Sequence, residues 1–261
     1  MNIPLFQVDA FTSELFSGNP AAVCILDAWL EDPVLQAIAE ENNLSETAFL
    51  VPNGEDFELR WFTPVAEVAL CGHATLASAL VVFDCLDWPA ERITFHTRQS
   101  GPLHVTRRNG LLEMNFPAIA SHPTPVPQGL EDALCCELNE TYLAGEDLMI
   151  LLANEDQVRN LQPRMSRLSE LECRGFIATS GSDHCDFVSR FFAPSYGIPE
   201  DPVTGSAHCV LIPFWSRLLN KPDLHARQVS RRGGELFCQD LGDRVQIAGD
   251  AILYLRGEIT L

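Results

Sequence analysis

Hydrophobic and polar positions along the chain follow two different periods. Alternation with period two, which is typical of half-buried strands, runs through Phe57, Leu59 and Trp61. Two longer apolar runs, residues 72–83 and 205–218, each begin at a glycine and carry almost no charge. Because a helix that is apolar on all sides is buried, these patterns predict an α+β fold in which strands surround two buried helices.

The predicted elements fall into two groups along the chain. In the first group, strands are predicted at residues 5–8, 21–26, 47–51, 57–62, 93–95, 103–106 and 111–115. A helix is predicted over residues 33–41, with Asp32 as its N-cap and Pro33 at its first position. In the second group, strands are predicted at residues 147–152, 175–180 and 186–192 and a helix at residues 205–218.

The two groups resemble each other because the sequence repeats once. The pattern D-F-x-x-R-x-F-x-P occurs at residues 56–64 and again at residues 186–194, an offset of 130. Three extra residues in the second copy then change the offset to 133, at which it is predicted to stay. Corresponding pairs are Glu67 and Glu200, Gly72 and Gly205, Ala74 and Ala207, Arg98 and Arg231, and Leu103 and Leu236. The repeat predicts two homologous halves, residues 1–117 and 118–261, with a ligand site expected between them.

Charge and composition exclude several classes of function. The chain has 36 acidic and 17 basic residues, a formal net charge of −19, whereas nucleic acids and anionic membranes attract cationic surfaces. We therefore expect neither as a partner. The single lysine, Lys221, reads as part of a helix-end turn, which argues against a Schiff-base or pyridoxal-phosphate mechanism. The chain contains no P-loop, dinucleotide-binding or metal-ligating motif, so no metal and no cofactor is predicted.

Cysteine usage and the N-terminal segment point to one compartment. The nine cysteines form no C-x-x-C pair and are predicted to be free thiols of a reducing compartment. The first residues have neither the basic stretch nor the long apolar stretch of a signal peptide. The longest uncharged run, residues 68–83, is shorter than a membrane span. A soluble, cytoplasmic protein is expected.

The start of each apolar helix is a candidate anion site. Small residues stand there, Gly72 in the first copy and Gly205 and Ser206 in the second. They leave backbone N–H groups uncovered, and together with the helix dipole these groups favour an anion. Because the two helix starts occupy the same position in the internal repeat, they predict the binding of a small carboxylate. The alternative is that the small residues only permit close helix packing.

Five segments in fixed order resemble the PhzF family, which is named after its phenazine-biosynthesis member and has the diaminopimelate-epimerase-like fold. The segments are V-D-A-F-T at 8–12, F-S-G-N-P-A-A-V at 16–23, N-L-S-E-T-A-F at 43–49, L-C-G-H-A-T at 70–75 and E-D-P-V-T-G-S-A-H at 200–208. The resemblance covers essentially the whole chain. It implies two pseudo-symmetric halves, each a barrel-like, mainly antiparallel sheet around a central apolar helix, with a cleft between them and a homodimeric assembly. It also implies cofactor-free isomerase chemistry in a biosynthetic process, in which a glutamate moves a proton.

The resemblance also implies roles for individual residues. Glu46 matches the family's catalytic acid/base, His73 its active-site histidine, and Asp201 its acidic residue in the second half. Judged from the residues alone, a surface glutamate at a loop end is the favoured interpretation of Glu46, and Asp201 could equally be a helix cap. At the first turn of a helix, His73 is either a satisfied core histidine or a group that donates to a substrate or holds Glu46.

Cys71 keeps a second function open. The resemblance extends to amino-acid epimerases of this fold, which use one cysteine from each half as opposed acid and base, and Cys71 occupies the first such slot. The matching slot holds Thr204, whose hydroxyl is a poor base, so Cys71 is expected to pack against or line the substrate site. The favoured function is a PhzF-type isomerase of a small carboxylate. The alternatives are a racemase or epimerase using Cys71 and a non-catalytic binding protein of the same fold.

Overall fold

The computed structural model describes residues 1–138 and 140–261, which form two compact units. The first unit contains Met1–Asn115 and Ala248–Leu261, and the second contains Phe116–Ile247. The half predicted as residues 118–261 therefore includes a C-terminal segment that belongs to the first unit. The reason is strand pairing, because Ala251–Thr260 runs antiparallel to Asn2–Ala10 along the whole length of both strands.

The first unit is built mainly from strands. These are β1 (Asn2–Ala10), β2 (Asn19–Ile25), β3 (Glu46–Asn53), β4 (Asp56–Phe62), β5 (Glu67–Val68), β6 (Arg92–Thr97), β7 (Pro102–Arg108), β8 (Leu111–Pro117) and the C-terminal β18 (Ala251–Thr260). Its helices are α1 (Asp32–Asn42) and α2 (Gly72–Leu80), the latter continued by a π-helical turn, Val81–Cys85. β8 contains one of the two points at which the chain passes between units.

The second unit repeats this inventory with additional short helices. Its strands are β9 (His122–Thr124), β10 (Glu140–Ala144), β11 (Asp147–Leu151), β12 (Gly175–Gly181), β13 (Phe187–Ala193), β14 (Ile198–Asp201), β15 (Asp223–Gln228), β16 (Gly234–Asp240) and β17 (Arg244–Gly249). Its helices are α3 (Leu130–Leu134), α4 (Glu155–Asn160), α5 (Met165–Leu168) and α6 (Gly205–Leu219).

The two units share one order of strand pairing. In the first unit β2 runs parallel to β3, β3 antiparallel to β4, β4 parallel to β6, and β6 antiparallel to β7. In the second unit β11, β12, β13, β15 and β16 pair in the same alternation. The apolar helices α2 and α6 are largely buried, and every residue of α2 after Gly72 is buried. This confirms the predicted α+β class. Of the helices that the structure describes, none is long and apolar enough to cross a membrane.

The repeated sequence pattern produces the same ion pair in both units. In the first unit, Arg60 Nε and Nη2 donate to the two carboxylate oxygens of Glu67, each at 2.7 Å. In the second, Arg190 donates to Glu200 at 2.7 and 3.0 Å. Each guanidinium also lies 4.9 Å from the ring centre of the phenylalanine two residues later. A buried, bidentate arginine–carboxylate pair fixes geometry, so these residues hold the strand that leads towards each apolar helix.

Two local predictions are wrong. The N-cap of α1 is Glu31 rather than Asp32, and no side chain caps this helix; the Asp32 carboxylate instead lies 2.9 Å from Arg60 Nη1. The offset of the repeat also does not stay at 133. Phe57 pairs with Phe95, and the corresponding Phe187 pairs with Ala226. Phe95 and Ala226 are therefore 131 positions apart, two fewer than the predicted offset. The hairpin that follows is two residues longer in the second unit, so the offset returns to 133 at Leu103 and Leu236.

Candidate active site

Glu46 and His73 meet inside the first unit. Glu46 is the first residue of β3, and His73 lies in the first turn of α2. Glu46 Oε2 and His73 Nε2 are 3.0 Å apart, and the two side chains are 13% and 5% exposed. The two atoms are not aligned as a hydrogen bond, and neither has a hydrogen-bond partner among the described residues. Since buried polar atoms are normally hydrogen-bonded, two such atoms in contact without aligned partners mark a candidate functional site.

The other ring nitrogen of His73 is held by two side chains. Asn19 Nδ2 lies 3.2 Å and Cys71 Sγ 3.5 Å from His73 Nδ1. The hydroxyl of Ser45 donates to Asn19 Oδ1 at 3.2 Å, so Asn19 links the residue before Glu46 to the histidine ring. The asparagine itself is fully buried. These contacts orient the imidazole so that its Nε2 atom faces Glu46.

Asn19 is placed by the glycine that precedes it. Gly18 has a φ of +64°, and a Cβ atom there would lie 2.2 Å from the carbonyl oxygen of Ala10. A side chain at position 18 is therefore excluded both by the left-handed backbone and by the close approach. The G-N-P segment of the sequence thus brings Asn19 into the start of β2 and against the histidine.

Burial and neighbouring charges shift the pKa values of His73 and Cys71. Burial alone lowers the pKa of His73, but Cys71 and Glu46 beside the ring outweigh this effect and hold its pKa well above the ordinary value. Burial, reinforced by the charge of Glu46, raises the pKa of the Cys71 thiol. We conclude that Cys71 stays a thiol near neutral pH, so Glu46 is the neighbour whose negative charge acts on the His73 ring.

The same three side chains are also a possible ligand set for a cation. One donor atom each from Glu46, Cys71 and His73 can be chosen so that all lie within 4.8 Å of one another. Carboxylate, thiolate and imidazole are ligands that Zn²⁺ accepts. A metal would have to displace the proton of the thiol, and Asn19 already contacts one of the ring nitrogens. The absence of a metal therefore stays a prediction.

In the second unit, Asp201 belongs to a network with Thr204 and Gln228. The Thr204 hydroxyl donates to Asp201 Oδ2 at 2.5 Å. The buried Gln228 side chain accepts from the backbone N–H of Thr204 at 2.8 Å. It donates to the Asp201 carbonyl at 2.7 Å and to the Thr204 hydroxyl at 3.0 Å. These bonds fix the four residues that lead into α6.

Gly205 and Ser206 open α6 next to a partly buried ion pair. Arg174 Nε donates to Asp147 Oδ1 at 2.9 Å, and Arg174 Nη2 donates to Asp147 Oδ2. The same Nη2 lies 3.4 Å from the Ser206 hydroxyl. Burial raises the pKa of Asp147, although Arg174 opposes the rise. Because Asp147 compensates its charge, Arg174 adds orientation at Ser206 rather than a free positive charge.

Comparison with known proteins identifies the family. The sequence matches the family described as "Phenazine biosynthesis-like protein" over residues 8–257. The chain belongs to the PhzC/PhzF family. A family member from Pseudomonas aeruginosa, named an uncharacterized isomerase, is 51% identical over the full length of both chains. A crystal structure of a PhzF-family phenazine biosynthesis protein from Enterococcus faecalis is 47% identical and superposes with a TM-score of 0.97, with full coverage of both chains.

A more distant structure has the same fold. A hydroxyproline epimerase from Agrobacterium vitis is 12% identical and has a TM-score of 0.63, covering 99% of this chain and 92% of its own. At this identity the likeness shows the fold alone. The closely similar PhzC/PhzF relatives are named isomerases, which supports an isomerase-type enzyme.

The residues that the sequence predicted for the site of this PhzC/PhzF protein lie in both units, and the structure adds two that were not predicted. Of the residues named from the sequence, Glu46, Cys71 and His73 lie together in the first unit, with Gly72 between the last two. Asp201, Gly205 and Ser206 lie in the second unit, around the start of α6. Sequence reasoning missed Asn19 and Gln228. Asn19 stands inside a segment that carried the resemblance, so a signal existed, whereas for Gln228 there was none.

Proposed function

We propose that this protein is a cofactor-independent isomerase that moves a carbon-bound proton on a small carboxylate, with Glu46 as the acid/base. The observation that carries the proposal is the buried contact between Glu46 Oε2 and His73 Nε2, whose atoms lack aligned hydrogen bonds. A carboxylate in such a place can accept a proton from substrate carbon and return it to another carbon of the same molecule. The atoms balance without any further reactant.

His73 supports this reaction as a hydrogen-bond donor. Because Asn19 Nδ2 lies against Nδ1, the ring proton is assigned to Nε2, which faces Glu46 and can donate to negative charge that develops on the substrate. Asn19 holds the ring in place through Nδ1. The backbone at Gly72 and His73 is assigned to binding the substrate carboxylate, since a helix N-terminus favours anions.

The second unit is assigned a binding and assisting role. Gly205 and Ser206 begin a 15-residue helix and are proposed to bind a carboxylate through that N-terminus. Asp201 is proposed to assist proton transfer, with its carboxylate held by the Thr204 hydroxyl. The small carboxylate substrate, a homodimeric assembly and a cytoplasmic location remain parts of the proposal that rest on the family resemblance.

Two observations favour Glu46 over Cys71 as the proton carrier. Burial and the neighbouring Glu46 raise the pKa of the Cys71 thiol, which leaves little thiolate to act as a base. The residue at the matching position is Thr204, and its hydroxyl donates to Asp201. A racemase needs two titratable groups on opposite faces of a carbon, and this pair does not supply them.

The test is solvent-deuterium incorporation with Glu46→Gln. Wild type and variant are incubated in heavy water with a panel of amino, hydroxy and cyclohexadiene carboxylic acids, and uptake is followed by mass spectrometry. We expect uptake by wild type and a loss of at least about 100-fold in the variant, since general acid–base catalysis contributes about 10²–10⁴-fold.

Glu41→Gln is the matched control, because it makes the same charge change at an exposed position of α1. It should retain the wild-type rate. Undiminished uptake by Glu46→Gln would refute Glu46 as the acid/base. Binding of a panel compound without any uptake by wild type would instead support a non-catalytic binding protein.

A further inference from the structure

Gln228 is the last residue of β15, and its side chain is 1% exposed. Both polar atoms of the side-chain amide form hydrogen bonds with one short segment of the chain. Its Oε1 accepts from the Thr204 N–H at 2.8 Å, and its Nε2 donates to the Asp201 carbonyl at 2.7 Å and to Thr204 Oγ1 at 3.0 Å. One buried amide therefore ties both ends of the Asp201–Thr204 segment to the end of a strand.

The bond from Gln228 to the Thr204 hydroxyl has a directional effect. A hydroxyl has one proton to donate and two lone pairs that accept. Because Thr204 Oγ1 accepts from Gln228 Nε2, its own proton is left to donate to Asp201 Oδ2, 2.5 Å away. Gln228 thereby contributes to the orientation of the Asp201 carboxylate through the Thr204 hydroxyl.

The first unit shows that the fold does not need this amide. In both units a serine from the following hairpin loop holds the chain before the apolar helix: Ser100 Oγ donates to the Ala69 carbonyl at 2.7 Å, and Ser230 Oγ donates to the Pro202 carbonyl at 2.8 Å. The residue at the strand position of Gln228 in the first unit is Thr97, since Leu59 pairs with Thr97 as Ser189 pairs with Gln228.

Thr97 does not take over the task of Gln228. Its hydroxyl donates to the Gly101 carbonyl at 2.8 Å, within its own hairpin. The serine is thus the shared structural device, and the glutamine is an addition in the unit that carries Asp201. An added, fully buried amide whose three bonds converge on Asp201 and Thr204 indicates a requirement for accuracy at this position.

We propose that Gln228 is a positioning residue of the second unit, which aims the Asp201 carboxylate and fixes the start of α6 at Gly205. The inference rests on the proposed function, in which Asp201 assists proton transfer and Gly205 and Ser206 bind the carboxylate. It adds a residue that touches neither the substrate nor the proton and acts through Thr204.

The first measurement is amide hydrogen exchange on the full, ligand-free chain. Gln228→Met keeps the length of the side chain and removes all three bonds, and Gln228→Glu keeps the acceptor for the Thr204 N–H but loses both donors. We expect exchange across residues 201–206 to accelerate at least about tenfold in Gln228→Met, because a buried donor is left unsatisfied. Exchange in β16 and in the last turns of α6 should stay at the wild-type rate.

Gln239→Glu is the matched control. Gln239 lies in β16 of the same unit, is more exposed, and donates to Asp223 Oδ1 at 2.8 Å at the protein surface. The substitution makes the same chemical change as Gln228→Glu away from Asp201. Exchange at residues 201–206 should be unaffected by it.

The second measurement separates positioning from plain stabilisation. With a panel acid that wild type processes, solvent-deuterium uptake by Gln228→Met should fall at least about tenfold while its thermal unfolding curve retains one transition. Unchanged exchange at residues 201–206 in both variants overturns the proposal, and so does faster exchange with uptake within twofold of wild type. Failure of wild type to process any acid counts against the proposed function, whereas the exchange data still report whether Gln228 holds the segment.

Discussion

The starts of α2 and α6 share a backbone and differ in chemistry. Each N-cap residue is extended, Cys71 with φ −143° and ψ 110° and Thr204 with φ −116° and ψ 102°. In each helix, the side chain four residues later donates to the N-cap carbonyl: Thr75 Oγ1 at 2.6 Å to Cys71, and His208 Nδ1 at 2.8 Å to Thr204. Any difference in function between the two helix starts therefore lies in side chains and not in the path of the chain.

The side chains at the two helix starts differ in chemical type. Around α2 lie three titratable groups, Glu46, Cys71 and His73, which are largely buried and whose donor atoms lie within 4.8 Å of one another. At the start of α6, Thr204 holds Asp201 through a neutral hydroxyl. Titratable groups forced together in a buried place have shifted pKa values, and such places are candidate sites of proton transfer. The comparison supports the proposal that the first unit moves the proton and that the second binds the ligand and positions a carboxylate.

The largest effect should come from substituting the two residues at the same repeat position, His73 and Ser206. We expect His73→Leu to reduce deuterium uptake at least about 100-fold, because the ring N–H beside Glu46 is lost. Ser206→Ala removes one hydroxyl at the other helix start and should reduce uptake by about tenfold or less, with the effect mainly in KM. Both are measured by the incorporation assay. A larger loss in Ser206→Ala than in His73→Leu would reverse the proposed division of roles.

The shared part of the two units was largely predictable from the sequence. A glycine followed by an apolar run is a signal contained in a short stretch of sequence, so both buried helices and the class of fold were predicted. The arginine–glutamate pair of the first copy also recurs in the second. Repeated sequence forms the same contact in both units, Arg60 with Glu67 and Arg190 with Glu200. The structure adds that Arg60 further contacts Asp32. That contact removes Asp32 from the capping role that its place before a proline had predicted.

The parts that differ between units were less predictable. Gln228 lies 24 residues from Thr204, and their contact depends on β15 running parallel to β13. Neither hydrophobic period nor motif spacing encodes which strands become neighbours. Asn19 illustrates the intermediate case, since its motif was visible but its contact with His73 required the positions of β2 and α2. Contacts between distant strands are what the repeat alone does not reveal.

A smaller effect is expected from His208→Thr. This substitution gives α6 the residue type that α2 has at the corresponding position, Thr75. Burial lowers the pKa of His208 to about 4, so between about pH 6.5 and 4 the unfolded chain binds a proton that the folded chain does not. Its contribution to stability is therefore complete above about pH 6.5 and is lost as the pH falls towards 4, by about 3 kcal/mol. The hydroxyl introduced by the substitution retains a donor for the Thr204 carbonyl without this dependence.

The measurement is chemical denaturation at pH 7 and pH 4.5. The loss of unfolding free energy between the two pH values should be smaller in His208→Thr than in wild type by about 2–3 kcal/mol. The variant also loses the ring contact of His208 with Phe187, so its stability at pH 7 is expected to be lower and only the pH difference is compared. His184→Thr, at an exposed position, should keep the wild-type difference; an equal difference in all three proteins contradicts a buried neutral His208.

The smallest effect is expected from Cys71→Ser, which gives the first N-cap a hydroxyl like that of Thr204. Since burial already keeps the Cys71 thiol protonated, its loss removes no base, and deuterium uptake should fall less than about tenfold. Cys85→Ser, at a partly exposed cysteine of the same unit, controls for thiol loss. A loss of about 100-fold in Cys71→Ser, together with rapid inactivation of wild type by iodoacetamide that substrate prevents, would move the proton carrier from Glu46 to Cys71. The two helix starts would then differ by a nucleophilic thiol, and the racemase alternative would replace the isomerase.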